Sequence, residues 1–505
     1  MCFHDDLDEC RSQIPTFLCD IYSARAEDLL CSPLTTPTDL DRVDLGGLAA
    51  EEDTNLEKYF LATREFAKVR DEQAFLVLGQ KGSGKSTIAL MIADERKGNV
   101  LDLSPNQFLW TRVKEFTQLG VPSPHAEKYA WSLTIFQAIA NWIIYALRDT
   151  KSEKREAIRE FLCQQHLLLN EPAFLDTLRN QPSRVGASFG SAVELSYVKE
   201  PTPPDKPVMA ELEREFQNAD VEIAASGSSL AVVIDKLDEF WDNTTASNNR
   251  LIGLLLAVRE INYRLKHIKL FLLLRSDIYR ALLFPDKDKF PGVTVEIRWN
   301  EGGLIDLLQK RVAVSLSADA TDKTAIQRIM VTEVTGVRGR AGTRRSLDYI
   351  IDRIHERPRD LLTYCHYAKE QALSRKHSII ESDDIVDAET KFSETKRDNI
   401  RAEYSLWLPN IDTFLESLAR SRERVSNEVL QRTLQDACAK TSLQFESALR
   451  KLIECEILGV VDKGAELYYY REPSIVERVG FRSTVYCIHP SLRRALRTIE
   501  VRGFA

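Results

Sequence analysis

Gly79-Gln80-Lys81-Gly82-Ser83-Gly84-Lys85-Ser86 follows the apolar run Ala74-Phe75-Leu76-Val77-Leu78 and opens a stretch of helical character from Lys85 to about Glu95. The eight residues fit the pattern G-x-x-x-x-G-K-[ST] where its mechanism needs it, between a buried strand and a helix. The glycines let the backbone curl so that successive N–H groups point at phosphate oxygens. The helix N-terminus adds partial positive charge. On this reading Gly79, Gln80, Lys81, Gly82, Ser83, Gly84, Lys85, Ser86 and Thr87 line a phosphate site. Lys85 contacts the β- and γ-phosphates, Ser86 joins a Mg2+ shell, and Thr87 assists. A glycine turn with a chance lysine is the alternative; eight matched positions in the right context weigh against it.

Working outward, Val100–Leu103, Leu230–Ile234, Ile268–Leu274 and Val293–Ile297 read as further strands, and Ala126–Arg148 and Asn248–Leu265 as helices between them. Ala74–Leu78 is continuously apolar rather than alternating, as expected of a central parallel strand covered on both faces. Strand–helix alternation then predicts a doubly wound α/β layer with a parallel sheet. The longest apolar stretch, Leu133 to Leu147, is too short to span a bilayer and contains Gln137 and Asn141, so it reads as a buried helix.

The tip of the third strand carries Asp235-Lys236-Leu237-Asp238-Glu239. A carboxylate at the end of a buried strand is costly without a positive partner. A Mg2+ ion beside the phosphate loop supplies one, which makes Asp235 a metal ligand and leaves Asp238 or Glu239 to orient or deprotonate water. A solvated acidic turn is the competing reading. The fourth strand ends in Arg275-Ser276-Asp277. An arginine there can stabilise transition-state charge, or it is a surface residue paired with Asp277; Arg280 and Arg298 are weaker candidates. In Glu356-Arg357-Pro358-Arg359-Asp360 the proline suits a first helical turn. Arg359 either reaches the nucleotide from there or is solvated and salt-bridged.

The chain divides into an acidic leader (1–50), an α/β domain (51–300), a helical lid (301–400) and a C-terminal winged-helix-like domain (401–505). Residues 51–68 read as one amphipathic helix. An insertion at about 151–228 includes Gly186–Ser191 and the linker Pro201-Thr202-Pro203-Pro204. In the last domain, Asn427–Ala439 and Ser442–Cys455 read as helices, Ile457–Val461 and Thr484–Ile488 as paired strands, and Ser491–Thr498 as a closing helix.

A length of 505 residues implies about three domains. A net charge of −8 argues against a non-specific nucleic-acid binder, so any such role needs a local patch. Arg338, Arg340, Arg344 and Arg345 form one candidate for phosphate-backbone contact, although in an acidic chain a solvated or disordered loop is the favoured reading. Glu446, Arg450, Lys451 and Glu454, on the helix that would enter a groove, are too mixed in sign for another. The start, Met1-Cys2-Phe3-His4-Asp5-Asp6, is no signal peptide. Nine cysteines without a C-x-x-C pair fit a reducing cytoplasm. Cys2, His4, Cys10, Cys19 and Cys31 match no usual zinc spacing.

These residues resemble the STAND and KAP branches of the AAA+-related (ASCE) P-loop ATPases over about residues 55–500. In those families the second motif follows a hydrophobic strand as D-x-h-D-E, with h hydrophobic, matched by Asp235 to Glu239. An arginine ends the fourth strand, matched by Arg275. KAP proteins carry an insertion between the two motifs, as at 151–228. Lys236 departs from the small or acidic residue usual there, and the insertion lacks the membrane helices of many KAP proteins. The resemblance implies an ATP- and Mg2+-dependent switch that forms homo-oligomers and works with a separate effector or sensor protein in anti-phage defence. Two other readings stand: a DNA-binding initiator- or regulator-like ATPase, and a scaffold that binds nucleotide without hydrolysis.

Overall fold

A computed structural model describes residues 37–96, 99–103, 110–147, 152–170, 207–335, 343–478 and 484–499. Strands β1 (Leu76–Gly79), β2 (Val100–Leu103), β3 (Leu230–Ile234), β4 (Ile268–Arg275) and β5 (Thr294–Ile297) form one sheet in the order β2-β3-β4-β1-β5. All its pairings are parallel, with Val77 opposite Leu273 on one side and Val295 on the other. Successive residues turn to opposite faces. Leu76, Leu78, Val232, Ile234, Leu272 and Leu274 therefore pack with helices His125–Ala146 and Thr245–Arg264. Val77, Ala231, Val233, Phe271 and Leu273 pack with helices Arg64–Arg70 and Lys85–Glu95. The expected doubly wound parallel sheet is present.

β4 lies between β1 and β3. The glycine loop and the acidic tip thus leave the same edge one strand apart, with Arg275 at the end of the strand between them. On one face, helices His125–Ala146 and Thr245–Arg264 approach so closely that a Cβ on Gly253 would stand 2.7 Å from the Lys128 backbone nitrogen. The insertion's helices Glu153–Gln164 and Pro207–Ala225 join this layer through Phe136, whose ring centroid lies 5.3 Å from Phe161 and 5.1 Å from Phe216. Gly186–Ser191 and the 201–204 linker lie outside the described residues.

Two expectations for the first seventy residues are corrected. Residues 51–68 are not one helix. A 3-10 turn at Ala50–Glu52 and a single helical turn at Leu56–Tyr59 precede Arg64–Arg70. Local side-chain bonds compete with the helix here: Asp53 accepts from the Asn55 N–H, and the Thr63 hydroxyl caps Phe66. The described part of the leader is not separate either. A capping box at Thr38 starts the turn Asp39–Arg42, and Leu40, Val43 and Leu45 are buried in the lid core with Leu304 and Leu308.

The lid comprises helices Glu301–Ser315, Ser346–Ile351, Pro358–Ser374 and the first part of Ser382–Tyr404, with a small antiparallel pair, β6 (Glu333–Thr335) and β7 (Thr343–Arg345). Helix Ser382–Tyr404 runs through the expected 400/401 boundary. Ile385, Ala388 and Phe392 belong to the lid core, and Ile400 and Tyr404 to the next. The C-terminal core combines helices Ile411–Leu418, Asn427–Thr433, Gln435–Thr441 and Phe445–Glu454 with β8 (Arg424–Ser426), β9 (Leu458–Asp462), β10 (Ala465–Leu467) and β11 (Val485–Ile488). These strands form an antiparallel sheet ordered β10-β9-β11-β8, a winged-helix-like arrangement. The expected helix 427–439 is interrupted at buried Leu434. The closing helix is only Pro490–Arg493, its arginine held by the Ile488 carbonyl and by Glu423 and Glu466.

Candidate functional site

Gly82 and Gly84 adopt φ values of 80° and 100°, the left-handed region that glycine reaches without penalty. The loop between them and β1 is fixed through its carbonyls. Lys85 Nζ donates to the Gly79 and Gln80 oxygens at 3.1 and 3.0 Å. Arg357 Nη1 donates to Lys81 O at 3.4 Å, the Arg359 N–H to Gly82 O at 3.4 Å, and Trp299 Nε1 to Ser83 O at 2.8 Å. Five consecutive carbonyls are held by donors around the loop. This orients the peptide dipoles of the nest.

At the other side of the rim, the Ser86 hydroxyl donates to Asp235 Oδ2 at 2.8 Å, and Asp235 Oδ1 accepts from the Lys236 N–H at 2.8 Å. Lys236 itself takes a left-handed conformation, which turns the chain into the 3-10 turn Leu237–Phe240. Burial pulls the Lys85 ammonium below its ordinary range, opposed by Asp235 and Asp238. Asp102 on β2 is pushed up to about 6, mainly by burial and then by Asp235. Asp238 is half-buried and stands 3.9 Å from Arg275 Nη1, whereas Glu239 is exposed.

Arg275 is paired with Asp277, as one sequence reading held, but it is buried rather than on the surface. Glu403, near the end of helix Ser382–Tyr404, lies 3.3 Å from Arg275 and 3.2 Å from Arg357. Arg357 in turn donates to Gln80 Oε1 at 2.9 Å and to Glu456. A continuous chain of charges therefore runs from Asp238 through Arg275, Glu403 and Arg357 to the loop.

The remaining candidates are otherwise engaged. Arg359 packs on Gly82, where an added Cβ would come within 2.9 Å of the arginine's own Cβ, and its Nε donates to Leu48 O at 3.2 Å. Arg280 and Arg298 share Glu296. Arg344 pairs with Asp352, and Arg345 lies 3.9 Å from Asp348. Arg338 and Arg340, and the cysteines and histidine of residues 1–36, lie outside the described residues. Sequence reasoning missed Arg357, Trp299, Glu403 and Glu456. Arg357 had a signal in Pro358, which marks it as the N-cap. Glu456 had one as an acid immediately before the apolar run of β9.

A glycine loop after β1, an acidic tip on β3 and an intervening β4 define a P-loop arrangement on a doubly wound parallel sheet. Residues 302–401, within the lid, match a family described as FunZ-associated C-terminal helical domain. The chain is 24% identical over 483 residues to the "Putative transposon gamma-delta 80.3 kDa protein" of Escherichia coli K12, a match covering 88% of this chain and 66% of that protein's length. Solved structures with a similar course include the ORC2 protein of Aeropyrum pernix, with 11% identity, 85% and 88% coverage and a TM-score of 0.37. Another is the RuvB Holliday junction branch migration motor of Thermotoga maritima, with 11% identity, 81% and 90% coverage and a TM-score of 0.31. Among the described residues no helix is long and apolar enough to cross a membrane.

Proposed function

We propose that this chain binds ATP with Mg2+ at the glycine loop, hydrolyses it, and uses the nucleotide to reset the lid and C-terminal unit. The observation that carries the reading is the meeting of Lys85, Ser86 and Asp235 at one rim, with Ser86 and Asp235 bonded at 2.8 Å. A hydroxyl and a carboxylate, both hard oxygen donors, fit Mg2+, which commonly takes one or two protein ligands and completes its shell with phosphate and water. Among the described residues no group of three or more His, Cys, Asp or Glu side chains could hold a metal by itself. Ser86 and Asp235 would hold the ion, which neutralises charge on the β- and γ-phosphates when bound. Lys85 adds positive charge at the same phosphates. Asp238 or Glu239 orients the attacking water and takes its proton, and Arg275 offsets the charge of the transition state.

The finer role we infer is that of a STAND- or KAP-like switch in the cytoplasm, acting as a homo-oligomer with a separate effector or sensor protein, in anti-phage defence. Support for switching comes from the lid, which touches the loop through Arg357 and Arg359. The DNA-binding alternative is less supported: Lys451, on the helix that would read a groove, donates to the Trp407 carbonyl at 2.8 Å, and Arg344 and Arg345 already face carboxylates.

Phosphate release from ATP by the wild-type chain, lost in Lys85→Ala, tests the reading. Equal rates in the two preparations would overturn it, and duplex binding that weakens steeply with salt would restore the DNA-binding alternative.

A further inference from the structure

Helix Phe445–Glu454 ends in the C-terminal unit, and Glu456 follows at the position where helices most often place glycine. Its φ is 62°, a left-handed conformation that non-glycine residues adopt mainly where surrounding structure enforces it. The side chain is fully buried. One carboxylate oxygen accepts from Gln80 Nε2 of the glycine loop, and the other accepts from Arg357 Nη2 of the lid. The second oxygen also lies 3.0 Å from His355 Nδ1. Gln80 completes a triangle, because its Oε1 accepts from Arg357 Nε at 2.9 Å. A residue of the C-terminal unit thereby fastens the side chain of a loop residue 376 positions earlier in the chain.

A second tether stands on the acidic side of the rim. Trp241, just after the Asp235–Glu239 turn, packs against Trp407 with ring centroids 5.1 Å apart. Trp407 is packed against both the sheet core and the C-terminal core. The two segments that form the rim are each joined to the C-terminal unit by a separate contact.

Resting on the nucleotide-site reading above, we propose that Glu456 is a positioning residue for the glycine loop, through which docking of the C-terminal unit sets nucleotide affinity. In the docked arrangement Gln80 and the Lys81 carbonyl are held, so the loop is organised before the nucleotide arrives. Preorganisation of this kind strengthens binding by removing ordering cost. Linkage makes the effect reciprocal: a nucleotide that binds the organised loop more tightly also holds the C-terminal unit in place.

The test is a double-mutant cycle on the full chain, read as affinity for a fluorescent ATP analogue in the presence of Mg2+. Gln80→Ala and Glu456→Gln are each expected to weaken binding by about fivefold or more, and the double variant to be no weaker than the worse single one. Gln80 is only half-buried, so should Glu456→Gln fail to fold, affinity and hydrogen exchange in Gln80→Ala alone still test the coupling. Hydrogen exchange supplies a readout that plain destabilisation would not give: ATP should slow exchange in β9 and β11 of the wild type, and that slowing should vanish in Gln80→Ala. Wild-type affinity in Gln80→Ala, additive losses in the double variant, or exchange in β9 and β11 indifferent to ATP would overturn the coupling alone. A wild-type chain that binds no nucleotide would sink the site reading itself.

Discussion

The Ser86 hydroxyl donates to Asp235 at 2.8 Å, joining the first turn of the loop helix to the tip of β3 across 149 residues of sequence. Neither atom pair explains Lys85, whose ammonium is spent on the Gly79 and Gln80 carbonyls. The two halves of the rim should therefore separate by experiment. Asp235→Asn is expected to lose about tenfold or more of nucleotide affinity when Mg2+ is present and to change little when it is chelated. Lys85→Ala should lose affinity in both conditions. Titration calorimetry with and without chelator checks this; identical losses for both variants would contradict it.

Asp238 faces Arg275 at 3.9 Å, whereas Glu239 is exposed. Either Glu239→Gln or Asp238→Asn is expected to bind ATP and release phosphate at least about a hundredfold more slowly, the usual size of a lost general base. Single-turnover measurement, with ATP recovered intact from the protein, reads this directly. The residue whose loss leaves turnover unchanged is not the one that handles water.

Arg357 separates two buried carboxylates, Glu403 and Glu456. Arg357→Ala would leave Glu456 without its arginine and Glu403 with Arg275 alone, and breaking a buried pair in this way costs about 3–5 kcal/mol. Denaturant unfolding of the full chain should show the first transition moved to clearly lower denaturant. A shift no larger than that of a surface arginine substitution would mean that water or another cation compensates.

Gly82 combines a φ of 80° with a Cβ position only 2.9 Å from the Cβ of Arg359. Gly82→Ala is strained in its own backbone and also pushes the lid helix off the loop. Nucleotide affinity should fall by about tenfold, with little change in the unfolding of the insertion helices, which lie elsewhere in the fold. Equal affinity would show that the loop tolerates the shift.

His377 Nδ1 lies 2.8 Å from buried Asp384, a bond that raises the imidazole above its ordinary range. The protonated form is the favoured one. Its contribution to lid stability is complete below the unfolded histidine range and fades as pH rises through the higher folded value. The melting temperature of His377→Asn should therefore trail the wild type at about pH 5.5 and approach it at about pH 8.5. A gap that widens with pH would reverse the sign and refute the pairing.

The sheet was legible because its strands β1 and β3 are buried on both faces and so appear as unbroken apolar runs; Leu230–Ile234 and Ile268–Arg275 differ from expectation by at most one residue. The loop was legible because phosphate binding by backbone imposes its own glycine spacing. What escaped was everything chosen by contact between distant segments. Arg359 is the lid arginine that sequence reading singles out, yet Arg357 at the cap is the one turned into the protein interior, while Arg359 reaches Leu48. Glu456 meets Gln80 only after three packing units have come together. The helix expected over 51–68 failed for a more local reason: Asp53 and Thr63 bond to nearby backbone that the helix would otherwise have used.

Helix Ser382–Tyr404 has 23 residues, begins in the lid core and ends beside Glu403 and Tyr404 in the next. At about 1.5 Å per residue it is a stiff rod of roughly 35 Å, so a swing of about 5° at one end carries the other through about 3 Å. That travel equals the length of the contacts Glu403 makes with Arg275 and Arg357, at 3.3 and 3.2 Å. A tilt of that size would uncouple both arginines at once, and because Ile400 and Tyr404 are buried at the same end of the rod, it would carry the C-terminal core along with it.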